Sequence, residues 1–140
     1  MNKVDHIGIA VSSLEAALLL YTGKLGMTHI KTETVASQKV RVAFIDAGNV
    51  KLELLEPAAP DSPIARFIQK RGPGIHHIAF NVKDIETRIA EMKSRGIEMI
   101  QEEPVAGAGG AKIAFMHPKS TGSVLMEMCE KGGAKHEGYV

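Results

Sequence analysis

The stretch Val4-Asp5-His6-Ile7-Gly8-Ile9-Ala10-Val11 returns as Ile75-His76-His77-Ile78-Ala79-Phe80-Asn81-Val82, which puts His77 71 residues after His6. A duplicated segment constrains the fold strongly, because both copies must build the same supersecondary unit. Both copies are rich in β-branched residues and read as short strands. Successive side chains on a strand point to opposite faces. Ile7, Ile9 and Val11 therefore share one face, as do Ile78, Phe80 and Val82. The other face carries one imidazole and then small residues (His6, Gly8, Ala10; His77, Ala79, Asn81) and leaves room for something that is not protein.

The repeat extends beyond these strands. Ser12-Ser13-Leu14-Glu15 and Lys83-Asp84-Ile85-Glu86 both look like helix starts, with Ser13 and Asp84 as N-caps. The first helix is expected to run through Ala16, Ala17, Leu18 and Tyr21 to about Gly26, the second through Ile89 and Met92 to about Gly96, each glycine a C-terminal stop. Extended segments follow: Met27–Val35, Gln38–Asp46 and Val50–Glu56 in the first copy; Ile97–Val105, Lys112–His117 and Val124–Cys129 in the second. Val42-Ala43-Phe44 lies 71 residues before Ile113-Ala114-Phe115, whereas Asn49–Glu53 matches Ser123–Glu127 at an offset of 74. The second copy has gained three residues in the loop His117–Gly122.

The expected fold class is α+β. Two tandem βαβββ modules would form a pseudo-twofold curved sheet with helices outside. The boundaries are module 1 at about 3–57, a linker helix at about 58–73, module 2 at about 74–130 and a mobile tail at 131–140. Asp61 or Ser62 would cap the linker helix, Ile64, Phe67 and Ile68 would form its apolar stripe, and Gly72-Pro73-Gly74 would end it. Neither module has enough core to stand alone, so one domain is expected.

With 140 residues and a formal charge of +1, the chain has no basic stripe with interleaved aromatics, which excludes nucleic acid as an expected partner. No segment approaches the roughly 18 apolar residues of a membrane span. The N-terminus enters a strand without signal-peptide architecture, and the single cysteine, Cys129, has no partner for an internal disulfide. A cytoplasmic or organelle-matrix location is the resulting expectation.

Chemistry concentrates on four residues. Each copy supplies a histidine from its first strand and a glutamate from its last: His6 and Glu53, His77 and Glu127. Both glutamates lie in apolar strand sequence, where a buried carboxylate is costly unless paired or bound to a metal. Two carboxylates at equivalent places would repel each other without a cation between them. One divalent ion per chain answers both problems, and mixed nitrogen and oxygen donors suit Co²⁺, Ni²⁺, Mn²⁺, Zn²⁺ or Fe²⁺ with two positions open. A lone strand histidine is more often a core or surface residue; it is the duplication that favours ligands here. His76 faces away from His77 and reads as structural. His29 and His136 read as surface residues, while His117, opening the inserted loop, is left undecided between roles.

The duplicated βαβββ unit with His/Glu ligands resembles the vicinal oxygen chelate superfamily (glyoxalase, bleomycin-resistance and dioxygenase proteins). Within it the chain is similar to the methylmalonyl-CoA epimerase family. The ordered segments Val4–Val11, Leu52–Pro57, Asp61–Ala65, Gly74–Phe80, Phe115–Lys119 and Gly122–Glu127 carry this likeness over nearly the whole chain. The resemblance implies His6, Glu53, His77 and Glu127 as metal ligands, with Co²⁺ first among the candidate ions. It also implies an acyl-CoA thioester substrate, a homodimer, and epimerisation of (R)- and (S)-methylmalonyl-CoA by proton removal and return. Glu127 is then the first candidate base and Glu53 the base for the opposite face. Some epimerases carry a glutamate where this chain has Val42, which leaves the second base open. Lys119 would meet a carboxylate or a CoA phosphate, against the plain reading of a solvated loop lysine. Two rival activities remain on the same fold: a glyoxalase I-type isomerase, which uses a similar ligand set, and a metal-free protein that sequesters a small molecule.

Overall fold

The computed structural model describes residues 1 and 3–132. The chain is α+β and built as two βαβββ modules. The first contains β1 (Val4–Ala10), α1 (Leu14–Leu18), β2 (Thr28–Val35), β3 (Val40–Asp46) and β4 (Lys51–Pro57). After α2 (Pro63–Arg71) come β5 (Gly74–Asn81), α3 (Ile85–Ser94), β6 (Val105–Ala106), β7 (Lys112–Met116) and β8 (Met126–Glu130). Among the described residues there are two compact units, one of His6–His76 and one of Met1–Asp5 with the chain from His77 onward.

In the first unit the strand order is β2-β3-β4-β1. β1 runs parallel to β4, and β2, β3 and β4 pair antiparallel. The parallel pair is possible because α1, β2 and β3 intervene in sequence, and a parallel pair needs such a crossover. Ala43, Ile45 and Leu54 face Leu14 and Ala17 of α1 and Val11 beyond β1, with Ile9, Leu18, Tyr21 and Leu52 packed around them. The opposite face of the same strands carries His6, Glu53, Phe44 and Val42. Ser13 caps α1 as expected, its hydroxyl accepting from the Ala16 amide at 3.2 Å. The helix does not continue as a regular α-helix to Gly26. It widens into a π-helical turn over Leu19–Lys24, and Gly26 then turns the chain at φ 73°.

Of the two expected caps of α2, Ser62 serves, accepting from the Ala65 amide at 3.0 Å, and Asp61 instead pairs with Lys39.

In the second unit the order is β5-β8-β7-β6, with β5 parallel to β8. Val82, Ile85, Ile89, Met99, Ala114, Met116 and Met128 pack together, joined by Met92, Ile97 and Met126. The expected strand Ile97–Val105 is corrected. Only Val105–Ala106 pairs as a strand, and Met99 makes an isolated bridge to Met116. Pro104 lacks an amide donor, and the preceding Glu102 and Glu103 are poor strand formers.

Asp84 stands at the N-cap position of α3, but its side chain makes no capping bond and its backbone is left-handed, φ 55°. Its cap is supplied from β8: Glu130 accepts from the Asp84 and Ile85 amides, each at 3.1 Å. Gly96, φ 86°, follows the end of α3 as anticipated. Most of the anticipated tail, 133–140, and with it His136, lies outside the described residues. Among the described residues no helix is long and apolar enough to cross a membrane.

Candidate metal centre

Each unit contains one buried imidazole–carboxylate pair. In the first, β1 presents His6 and β4 presents Glu53. Gly8 lies opposite Glu53 in the ladder, so the two side chains come from positions two residues apart in register. His6 Nδ1 is 3.3 Å from Glu53 Oε2. In the second, Ala79 lies opposite Glu127, so His77 bears the same two-residue relation to its carboxylate. His77 Nε2 is 3.6 Å from Glu127 Oε1. The exposures are 4% and 6% for the first pair and 5% and 3% for the second. Carboxylates this dry need a cationic or hydrogen-bonding counterpart, and the duplicated register supplies an imidazole to each.

The residues opposite the two glutamates are also duplicates. Phe44 on β3 pairs with Glu53, and Phe115 on β7 pairs with Glu127. Phe115 meets the His77 ring edge to face, centroids 5.3 Å apart and planes at 87°, an arrangement that fixes the imidazole plane. Phe44 instead carries two ammonium groups near its ring, Lys31 at 5.4 Å and Lys51 at 5.8 Å. Lys51 is 3% exposed and lies opposite His6 in the ladder. Sequence reasoning passed over it. The available signal was a lysine two residues before Glu53, hence on the ligand face of an otherwise apolar strand.

Asp5 was also passed over. It is buried, accepts from Asn81 Nδ2 at 3.3 Å, pairs with Lys131 at 3.5 Å, and takes the Cys129 thiol at 3.9 Å. An acid directly before a candidate ligand, in a strand of apolar residues, was the sign of a built-in polar cluster.

The other histidines divide as follows. His76 packs edge to face on Phe67, and burial lowers its imidazole to about 4. It is a neutral structural residue. His29 is exposed and bonds Thr32 at 2.9 Å. His117 has a local role: Nδ1 accepts from the Lys119 amide at 3.1 Å, capping a short 3-10 turn over Pro118–Ser120. Lys119 is exposed and pairs with Glu98 at 2.8 Å, and its ammonium holds the Glu98 carboxyl below the usual carboxylate range. Val42 is buried on β3 beside Phe44, an apolar wall to the ligand face.

An imidazole beside a carboxylate is a donor combination that suits a first-row divalent ion, and each unit contains one such pair. The protein belongs to the Glyoxalase/Bleomycin resistance protein/Dioxygenase superfamily, whose family model matches residues 5–115. Its relatives narrow this to methylmalonyl-CoA epimerases. It is 38% identical to the mitochondrial methylmalonyl-CoA epimerase of Homo sapiens, over 91% of this chain and 73% of that one. Among solved structures, a hypothetical protein from Bacillus halodurans is 55% identical with a TM-score of 0.90, covering 93% of this chain and 94% of that one. A variant of the Streptomyces coelicolor methylmalonyl-CoA epimerase, in complex with 2-nitronate-propionyl-CoA, is 35% identical with a TM-score of 0.88, covering 94% and 95%.

Proposed function

We propose that the protein is a metal-dependent methylmalonyl-CoA epimerase. The observation that carries this reading is the pair of buried His/Glu sets at duplicated positions, one per module. The named relatives support it from outside the chain. His6, Glu53, His77 and Glu127 would hold one divalent ion, and three of them, His6, His77 and Glu127, qualify by chemistry and burial as a ligand group. Such an ion supplies Lewis-acid stabilisation of the negative charge that develops on the substrate oxygens.

The rest of the chemistry belongs to side chains. The proton to be moved sits on the carbon between a carboxylate and a thioester carbonyl, and the thioester acidifies it by delocalising the charge as an enolate. Glu127 takes that proton from one face, and Glu53 returns or removes it at the other. Each needs a carboxylate oxygen within hydrogen-bond reach of that carbon. Phe44, Val42 and Leu55 give the first module a dry lining, which strengthens charge interactions on its ligand face. Phe115 keeps the His77 ring in one plane. Lys119 exchanges Glu98 for a phosphate of the CoA moiety.

The test is proton exchange. Metal-loaded protein incubated with methylmalonyl-CoA in deuterated water is expected to place deuterium at the carbon beside the thioester and to interconvert the epimers. Elemental analysis is expected to find about one divalent ion per chain. Absence of exchange in fully loaded protein, with turnover of a glutathione hemithioacetal, would overturn the assignment in favour of glyoxalase I chemistry.

A further inference from the structure

Glu56 and Glu130 stand three residues after Glu53 and Glu127 in their strands, and an odd spacing turns them to the opposite face. There each reaches the start of the helix that follows its module's first strand. Glu56 Oε2 accepts from the Leu14 amide at 2.9 Å, and Glu56 Oε1 accepts from Arg41 Nη1 at 2.8 Å. Glu130 accepts from the Asp84 and Ile85 amides. Leu14 and Ile85 are themselves equivalent in the repeat. Backbone bonds at the same ends of the strands repeat as well: Val11 N to Leu55 O at 2.9 Å, and Val82 N to Cys129 O at 3.0 Å.

Each carboxylate thus ties the start of the helix that follows one ligand strand to the other ligand strand. In the first module the tie joins α1, which follows the His6 strand β1, to β4, which carries Glu53. In the second it joins the start of α3, which follows the His77 strand β5, to β8, with Glu127. Parallel neighbours have no hairpin turn to set their register, and a one-residue slip would send a ligand to the wrong face. A side-chain clamp just beyond the ladder supplies what the missing turn does not.

We propose that Glu56 and Glu130 are positioning residues, each holding the imidazole–carboxylate pair of its own module in register. The proposal rests on the reading of those pairs as metal ligands, and its test separates the two. Glu56→Ala, Glu130→Ala and the control Ser62→Ala are prepared in the full chain. Ser62 caps α2, which carries no ligand, so its loss reports stability alone.

Histidine NMR of the metal-free proteins is the first readout. Glu130→Ala is expected to move the His77 ring signals and leave those of His6, Glu56→Ala to do the converse, and Ser62→Ala to move neither. Co²⁺ affinity is the second: each clamp variant is expected to bind about tenfold more weakly, and Ser62→Ala to bind like the parent. Glu130→Gln keeps one acceptor oxygen and secures a folded variant, with a smaller movement of the same His77 signal. Unmoved imidazole signals in folded clamp variants, or an equal loss of affinity in Ser62→Ala, would overturn the proposal. Module-specific movement with no Co²⁺ bound by any protein, parent included, would uphold the clamps and overturn the ligand reading.

Discussion

The two modules place the same imidazole–carboxylate pair at the same register but surround it differently. In the first, the phenylalanine opposite the glutamate sits beneath two lysines. In the second, the equivalent ring stacks edge-on against the histidine itself. The position of Lys51 is occupied in the second module by Leu125. The first module therefore sets lysines against the ring opposite its carboxylate, and the second sets that ring against the imidazole. The repeat keeps the imidazole–carboxylate pair and varies what packs around it.

Ligand removal gives the largest expected effect. His6→Ala and His77→Ala are each expected to lose bound metal and at least about a hundredfold in kcat/KM. His76→Ala, whose side chain faces the other way against Phe67, is expected to keep both. Elemental analysis and steady-state assays read this out. Retention of metal by one histidine variant alone would mean that the modules are unequal in donors as well as in surroundings.

The carboxylates sharpen the contrast further. With metal saturated, Glu127→Gln and Glu53→Gln are each expected to slow epimerisation by about 10²–10⁴-fold, more in kcat than in KM. A two-base scheme adds a stronger expectation. Each variant still exchanges deuterium into one epimer and fails with the other, and the two variants fail with opposite epimers. Loss of exchange with the same epimer in both would end the assignment of one base to each face.

The hydrophobic cores differ as well. Leu54 is fully buried among Ala43, Ile45 and Leu14, whereas Met128 packs among Met99, Met116 and Met126. Truncation to alanine is expected to cost about 2–5 kcal/mol. Leu54→Ala should lie toward the upper end, since thioether side chains refill a void more readily than branched ones. Chemical denaturation of the two variants checks the order.

The duplicated strands, the ligand candidates and Ser13 could be read from the sequence because each depends on local chemistry: alternation along a strand, a carboxylate in an apolar run, a hydroxyl before a helix. The clamps could not be found that way. The α3 cap comes from Glu130, 45 residues from Ile85, so the nearby Asp84 looked like the cap although its backbone is left-handed. The second copy's expected strand failed where Pro104 removed a donor, and strand pairing there depended on whether β7 could accept a longer partner. Lys51 went unnoticed because a lysine in a strand ordinarily reads as solvent-facing, and its burial comes from neighbouring strands.

The smallest effect concerns the two helix starts. Ser13 is a working side-chain cap, so Ser13→Ala is expected to cost about 1 kcal/mol. Asp84 occupies the corresponding place with φ 55°, a conformation that costs a residue with a Cβ about 1 kcal/mol relative to glycine. Its carboxylate makes no capping bond and accepts an exposed one from Thr87 Oγ1, at 2.9 Å. The Asp84 amide bond to Glu130 is a backbone interaction and survives any substitution except proline. Asp84→Gly therefore relieves the strain, loses one exposed hydrogen bond and frees an additional backbone in the unfolded chain. These terms nearly cancel, and the expected outcome is a change of within about 0.5 kcal/mol of zero, of either sign. Urea titration of both variants reads the comparison directly. A loss of 1 kcal/mol or more in Asp84→Gly, equal to that of Ser13→Ala, would show that the aspartate caps α3 after all and that Glu130 does not replace it.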